Sequence, residues 1–155
     1  MNSVPVIVYI DGGARGNPGP AGYGVRVESN DGSVIEELTD YIGIATNNVA
    51  EYRGLVAALT YLELRGYRSV IIRSDSQLLT KQMVGQFKVR HPNLKPLHRQ
   101  ASLVASRLKK DRFEHVPRAE NTEADRLANA AMDKTRTTHP SIENESDVPG
   151  NVLAI

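Results

Sequence analysis

The sequence lacks several features, and each absence excludes a class of protein. It contains no cysteine, so disulfide bonds, thiolate metal sites and a cysteine nucleophile are excluded. No apolar run approaches the ~20 residues that a membrane-spanning helix needs. The N-terminus has no basic segment and reaches Asp11 early, which is not typical of a signal peptide. We therefore expect a cytoplasmic protein with no membrane partner.

The chain also carries little net charge, yet its charges are unevenly distributed. Its 155 residues have a formal net charge of +1. Residues 81–120 contain 10 Lys or Arg against 3 Asp or Glu, residues 1–80 contain 6 against 9, and residues 121–155 contain 3 against 6. The total charge gives no indication of a nucleic-acid partner. A basic segment between two acidic ones is nevertheless compatible with such a partner.

Hydrophobic periodicity predicts five strands and four helices within one domain. The predicted strands are 4–10, 22–29, 34–45, 69–75 and 113–116, and the predicted helices are 48–65, 76–84, 97–110 and 122–134. Residues 12–21, rich in Gly and Pro, are predicted to be a loop. Three antiparallel strands followed by strands that alternate with helices predict an α/β fold, with a mixed five-stranded sheet flanked by helices.

The C-terminal residues lose this periodicity from Thr135 onward. We interpret residues 1–136 as the folded domain and residues 137–155 as a polar tail, whose apolar end at 152–155 can dock on the domain. The tail is equally compatible with a linker to a further domain.

Four acidic residues occupy the ends of predicted elements. Asp11 and Asp75 end buried strands, and Glu51 and Asp125 lie in first helical turns. Singly, each has an ordinary explanation as a turn former or as a partner of the helix dipole. Converging at one site, they would repel one another, and a hard cation such as Mg²⁺ or Mn²⁺ would resolve that repulsion. The sequence therefore predicts a metal site suited to phosphate chemistry.

The glycine-rich segment after Asp11 does not match the common nucleotide-binding motifs. A dinucleotide fingerprint needs GxGxxG leading into a helix, whereas GGARGNPG has different spacing and leads into a strand. Neither GxxxxGK[ST] nor GxSxG occurs. The glycines either let backbone N–H groups approach a phosphodiester or simply form a tight hairpin loop.

Four segments together resemble the signature segments of type 1 ribonuclease H. They are IDGGARGNPGPAGYG, TNNVAEYRGLVAAL, SDSQLL and HVPRAENTEADRLAN, in the family's order and over residues 4–134. The resemblance implies a ribonuclease H-like fold and an endonuclease that cleaves the RNA strand of RNA–DNA hybrids. It further implies two Mg²⁺ ions, with Mn²⁺ as a substitute, and products with 5′-phosphate and 3′-hydroxyl ends.

The resemblance also assigns roles to single residues. The catalytic and metal-binding carboxylates are Asp11, Glu51, Asp75 and Asp125. His115 matches a mobile-loop histidine that assists proton transfer or product release. The positions matched to substrate contacts are Gly12, Asn17, Asn47, Asn48 and Gln77 in the minor groove, and Thr46 and Asn121 at phosphates. Turn formation and helix capping are alternative roles for several of them.

The sequence departs from the best-known bacterial pattern, which carries a basic protrusion with an extra helix and tryptophans. This chain has no Trp, and its connector at 85–96 is too short for that helix, so it resembles the handle-less subgroup of archaeal and bacterial relatives. Substitute contacts are expected among Lys88, Arg90, Lys95, Arg99, Lys109, Lys110 and Arg118, although the Lys109–Lys110 pair is better explained as a solvated helix end. Double-stranded RNA is then a second candidate substrate.

Two other functions stay open on the same fold. A non-catalytic nucleic-acid binding module would gain little from four carboxylates facing phosphates. A DNA-directed nuclease or an integrase-like transferase fits less well with the two asparagines before Glu51 and the GNPGP segment. We expect a monomer in either case.

Overall fold

The computed structural model describes residues 4–145, and the side chains of residues 4–134. The strands are β1 Val6–Ala14, β2 Gly19–Glu28, β3 Val34–Ala45, β4 Ser69–Ser74 and β5 Lys110–His115. The helices are α1 Asn47–Leu64, α2 Gln77–Met83, α3 Lys95–Ser106 and α4 Thr122–Glu145, and a 3-10 turn spans Arg118–Glu120. The predicted order of elements is confirmed. The predicted docking of residues 152–155 lies outside the described residues.

The five strands form one mixed sheet in the order β3-β2-β1-β4-β5. The β1–β2 and β2–β3 pairs are antiparallel, and the β1–β4 and β4–β5 pairs are parallel. This confirms the predicted α/β class. Because β1 and β4 are central neighbours, the residues that follow their parallel ladder lie side by side at one edge of the sheet.

The glycine-rich segment is mostly strand, so the predicted loop at 12–21 is wrong. The antiparallel ladder continues through Gly12↔Tyr23, Gly13↔Gly22 and Ala14↔Ala21, which leaves only residues 15–18 as a turn. The low strand propensity of glycine misled the sequence reasoning. These glycines serve packing, because a Cβ on Gly12 would lie 2.4 Å from the backbone carbon of Ala50 on α1.

Three boundaries in the second half of the chain also differ from prediction. Helix α3 ends at Ser106, and β5 begins at Lys110, because a solvated edge strand shows no apolar alternation in its first residues. Helix α4 runs to Glu145, beyond the expected end at residue 134, because an established helix propagates without an apolar face. The division into a domain and a tail at residue 136 stays a prediction.

Helices cover the two faces of the sheet. The main core lies between the sheet and helices α1 and α3, and it includes Val8, Ile10, Leu55, Leu59, Ile72 and Val104. On the opposite face, α4 packs closely on β2. A Cβ on Gly24 would lie 2.5 Å from both the Ala124 carbonyl oxygen and the Leu127 Cβ. No helix in the described part of the chain is long and apolar enough to cross a membrane.

We expect Gly24→Ala to lower the free energy of unfolding by about 1–3 kcal/mol, because the added methyl group meets the α4 backbone and forces the helix away from the sheet. Gly13→Ala is the control, since the atom nearest its added Cβ is the flexible end of Met132 at 3.3 Å. Urea unfolding of both variants measures the difference. Equal losses would contradict the close-packing explanation.

Candidate active site

Asp11 and Asp75 meet where the two central strands stop pairing. The last pair of the parallel ladder is Ile10↔Ser74, and the two aspartates are the next residue on each strand. Asp75 directly follows the end of β4, which stops one residue before the predicted strand end, whereas Asp11 lies inside β1 because β1 continues to pair with β2. The sheet itself therefore sets the two carboxylates side by side.

Glu51 joins this pair from helix α1. The Thr46 hydroxyl oxygen caps the helix by accepting the Val49 N–H at 3.2 Å, which places Glu51 in the early part of the helix. The absence of a side chain at Gly12 lets the Ala50–Glu51 backbone approach β1. Carboxylate oxygens of Asp11, Glu51 and Asp75 consequently lie within 4.8 Å of one another.

Asp125 approaches from the other side of the sheet. It lies in the first turn of α4, close enough to Asp11 for the two carboxyl groups to share a hydrogen bond. It is not part of the three-oxygen cluster, but it lines the same open cleft as Asp11, Glu51 and Asp75. The four predicted acidic residues thus converge on one cleft.

The electrostatics of this cleft favour protons or a cation. Burial, followed by the charges of Asp75 and Asp125, raises the pKa of Asp11 to about 8. Burial and the charges of Asp11 and Asp75 likewise raise the pKa of Glu51, although a hydrogen bond from Ser76 and the charge of Arg118 act in the opposite direction. Oxygen ligands at this spacing fit a hard divalent cation, which would offset the repulsion.

Two arginines line the cleft beside the acids. Arg15 donates to the Asp133 carboxylate at 2.6 Å and to Asn129 Oδ1 at 3.0 Å, which ties the β1–β2 turn to α4. Arg118 lies on the 3-10 turn. Sequence reasoning included Arg118 only among general basic contacts and missed Arg15 and Asn129. The signal available for Asn129 was its spacing of one helical turn from Asp125.

Several predicted substrate residues hold the β1–β2 turn against the start of α1. Asn17 Oδ1 accepts the Asn47 N–H at 2.9 Å, and Asn47 Oδ1 accepts the Ala14 N–H at 2.8 Å. Thr46 caps the helix, as the alternative role for it predicted. Asn48 is exposed in this turn region, so it is free to meet a ligand.

A groove continues from this turn to the basic connector. Asn17, Thr46 and Asn48 line it together with Lys88 and Arg90. Residues 84–94, all within the described part, form neither helix nor strand, as expected for a chain without the extra helix. The Lys109–Lys110 pair lies elsewhere, because Lys110 is in register with Ser69 at the opposite end of β4 from Asp75. The basic segment therefore does not form one surface.

Four other predicted site residues are not carboxylates of the acidic cluster. His115 is exposed at the end of β5, in register with Ser74, and Gln77 is exposed at the start of α2. Asn121 is buried and donates to the Ile10 carbonyl at 2.8 Å instead of capping α4 with its side chain. Gly12 lines the acidic cleft, where its N–H donates to Asp11 Oδ1 at 2.9 Å, and it is packed against α1. The catalytic role of His115 and the substrate roles of Gln77, Asn121 and Gly12 stay predictions.

The chain is similar to known proteins over most of its length. A family model described as reverse transcriptase-like matches residues 9–131. The bifunctional protein Rv2228c of Mycobacterium tuberculosis is 52% identical over 129 residues, which are 83% of this chain and 35% of that protein. The ribonuclease HI of Halobacterium salinarum is 43% identical over 128 residues, which are 83% of this chain and 64% of that protein.

Solved structures agree with this similarity. The crystal structure of RNase H1 from Halobacterium salinarum superposes with a TM-score of 0.81 at 42% identity, covering 84% of this chain and 98% of that one. LC11-RNase H1 in complex with an RNA/DNA hybrid gives a TM-score of 0.81 at 42% identity, covering 84% of this chain and 99% of that one. The chain nevertheless spans only 35% of the mycobacterial relative's length.

In the absence of metal, we expect Asp11→Asn to raise the free energy of unfolding by about 1–3 kcal/mol at pH 7. The folded-state pKa of Asp11 is about 8 against an ordinary value of 3.8, so the wild type loses stability as pH rises between these values. The gain of the variant should therefore vanish near pH 4. Thermal unfolding from pH 4 to 8 with chelator present measures it.

Asp111→Asn is the matched control, because Asp111 is exposed on β5 and away from the cleft. It should leave the pH dependence of the wild type unchanged. A pH-independent gain in Asp11→Asn, or the same gain in both variants, would show that carboxylate repulsion is not its source.

Proposed function

The chain belongs to the ribonuclease HI family, and from this premise we propose that it hydrolyses the RNA strand of RNA–DNA hybrids as an endonuclease. The observation that carries the proposal is the convergence of Asp11, Glu51, Asp75 and Asp125 on one open cleft. The family resemblance gives these four residues the catalytic role. The bound RNA/DNA hybrid in LC11-RNase H1 supports the same class of substrate.

The acidic cluster is suited to hold Mg²⁺, with Mn²⁺ as a substitute, because all its donors are carboxylate oxygens. When bound, two such ions would supply activation of a water and stabilisation of the departing 3′-oxygen. The Asp11, Glu51 and Asp75 carboxylates would hold them, with Asp125 completing the set. Cleavage of the P–O3′ bond would then leave 5′-phosphate and 3′-hydroxyl ends.

The protein's own residues would bind and orient the hybrid. The exposed Asn48, with Asn17 and Asn47 beside it, supplies hydrogen-bonding groups for the minor groove, where RNA displays its 2′-hydroxyls. Lys88 and Arg90 border the groove that starts at this turn, which suits them to phosphates of the hybrid. Recognition would then depend on shape and on 2′-hydroxyl contacts rather than on sequence.

His115 is proposed to move protons or assist product release, since it is exposed at the end of β5 in register with Ser74, the residue before Asp75. Double-stranded RNA is a second candidate substrate, because it presents the same 2′-hydroxyls and the described residues 84–94, between α2 and α3, form no extra helix. We also propose that the protein acts as a monomer in the cytoplasm.

A non-catalytic binding module is less well supported. The buried carboxylates raise one another's pKa values and would repel a phosphodiester, so they weaken the binding of nucleic acid unless a cation is present. A pure binding protein would gain little from such a cluster.

The central experiment incubates labelled RNA–DNA hybrid, double-stranded RNA and double-stranded DNA with the protein and Mg²⁺ or Mn²⁺. We expect cleavage of the RNA strand of the hybrid and a loss of at least ~100-fold in Asp11→Asn and in Asp75→Asn, because each removes a charged metal ligand. Asp111→Asn should keep full activity. Cleavage that survives both active-site substitutions would eliminate the carboxylate mechanism.

For the basic connector, we expect Lys88→Ala combined with Arg90→Ala to weaken hybrid binding and to reduce the slope of log K against log salt by about 1–2. The physical reason is the loss of two phosphate contacts and of the counterions that they release. Lys109→Ala combined with Lys110→Ala is the matched control of equal charge at the other end of the sheet. An equal reduction of the slope in both double variants would contradict a specific phosphate contact by Lys88 and Arg90, because only the loss of positive charge would then matter.

A further inference from the structure

Asn121 joins the two elements that carry Asp11 and Asp125. It lies between the 3-10 turn and α4, and it is only 1% exposed. Its Nδ2 donates to the Ile10 carbonyl at 2.8 Å, and its backbone carbonyl accepts the Asp125 N–H at 3.1 Å. One buried residue is therefore bonded both to the residue before Asp11 and to Asp125 itself.

Only one of the two polar atoms in the Asn121 side-chain amide has a hydrogen-bond partner among the described residues. An amide oxygen against the Ile10 carbonyl would set lone pairs against lone pairs, so the nitrogen must face it. Oδ1 is buried and has no hydrogen-bond partner among the described residues. A buried polar atom without a partner destabilises a fold, whereas a leucine would fill a similar volume without that cost. Stability alone therefore does not explain an asparagine at this position.

The neighbouring carboxylates supply a reason for the bond. Asp11 and Asp125 repel each other when both are ionised, which pushes β1 and the first turn of α4 apart. The segment 116–121 that leads into α4 is bonded to β4 through the Val116 N–H and the Ser74 carbonyl at 2.9 Å. Within the described residues, the Asn121 amide makes the one side-chain hydrogen bond from this segment to β1.

We propose that Asn121 is a positioning residue that fixes the separation of the Asp11 and Asp125 carboxylates through its bond to the Ile10 carbonyl. The proposal deepens the proposed function and rests on it. It replaces the phosphate contact that the family resemblance implies for this position, because a buried amide has no access to a phosphate.

The two roles differ in what they control. A positioning residue sets the geometry of the carboxylates, so its loss lowers kcat and weakens metal binding. A phosphate contact sets affinity for the hybrid, so its loss raises KM and reduces the salt dependence of binding. Measuring both pairs of quantities on the full chain separates the roles.

The test variant is Asn121→Leu, which removes the hydrogen bond and keeps most of the volume. Asn121→Ser is a second variant, measured in the same way, in case the leucine variant does not fold. The matched control is Thr39→Val, because Thr39 Oγ1 donates to the Leu127 carbonyl at 2.8 Å. That bond is of the same kind, between the sheet and α4, but neither Thr39 nor Leu127 lines the acidic cleft.

We expect Asn121→Leu to lower kcat on the hybrid at least ~10-fold, as loss of outer contacts to metal ligands does, while KM and the salt slope stay within about twofold of wild type. The rise in Tm produced by MgCl₂ or MnCl₂ alone should shrink. Thr39→Val should lower Tm without changing kcat or the metal-induced rise.

An unchanged kcat together with an unchanged metal-induced rise in Tm would overturn the proposal. So would a raised KM with a smaller salt slope, which identifies a phosphate contact instead. If the wild-type protein fails to cleave hybrid, the proposed function fails, while the metal-induced rise in Tm still distinguishes Asn121→Leu from the control.

Discussion

The close approach of two helices to the central strands is the constraint on which the site depends. Gly12 on β1 leaves room for the backbone of α1, and Gly24 on β2 leaves room for the backbone of α4. A Cβ at Gly12 or Gly24 would lie 2.4 Å or 2.5 Å from a helix backbone atom, so a side chain at either position would force a helix outward. Because Glu51 and Asp125 lie on these helices, the packing of glycine against helix backbone brings their carboxylates to Asp11.

This packing works against a strong electrostatic penalty. Burial and mutual repulsion raise the pKa of Asp11 to about 8 and raise that of Glu51 as well. These two carboxyl groups therefore favour the protonated form unless a cation is present. The fold tolerates this because β1 and β4 are held by a continuous parallel ladder up to Ile10 and Ser74. The rigid sheet thus holds carboxylates together although they repel one another. Such a site suits a metal-dependent nuclease, because a bound cation would offset the repulsion.

The surface for the substrate depends on a different set of contacts. Hydrogen bonds between Asn17, Asn47 and Ala14 lock the β1–β2 turn onto the start of α1, and the groove beside it leads to Lys88 and Arg90. The basic connector between α2 and α3 has no regular structure, as expected for a chain without the extra helix. The positive charge of residues 81–120 is divided among several places. Lys95 and Arg99 on α3 share a groove with the connector, Arg118 lines the acidic cleft, and Lys110 is in register with Ser69 at the far end of β4.

The order of the elements, the mixed sheet and the identity of the four acids could be predicted from the sequence, because hydrophobic periodicity and the signature segments are local properties. It failed at residues 12–21, where glycine indicated a loop and the structure has a hairpin, since the ladder and the helix packing that favour a strand there are long-range. It also left Asn121 as a cap or a phosphate contact, because only the tertiary structure brings Ile10 to its amide. Periodicity and the signature segments thus identified the residues of the site. The contacts that each residue makes depend on the distances between strands and helices, which are long-range properties of the fold.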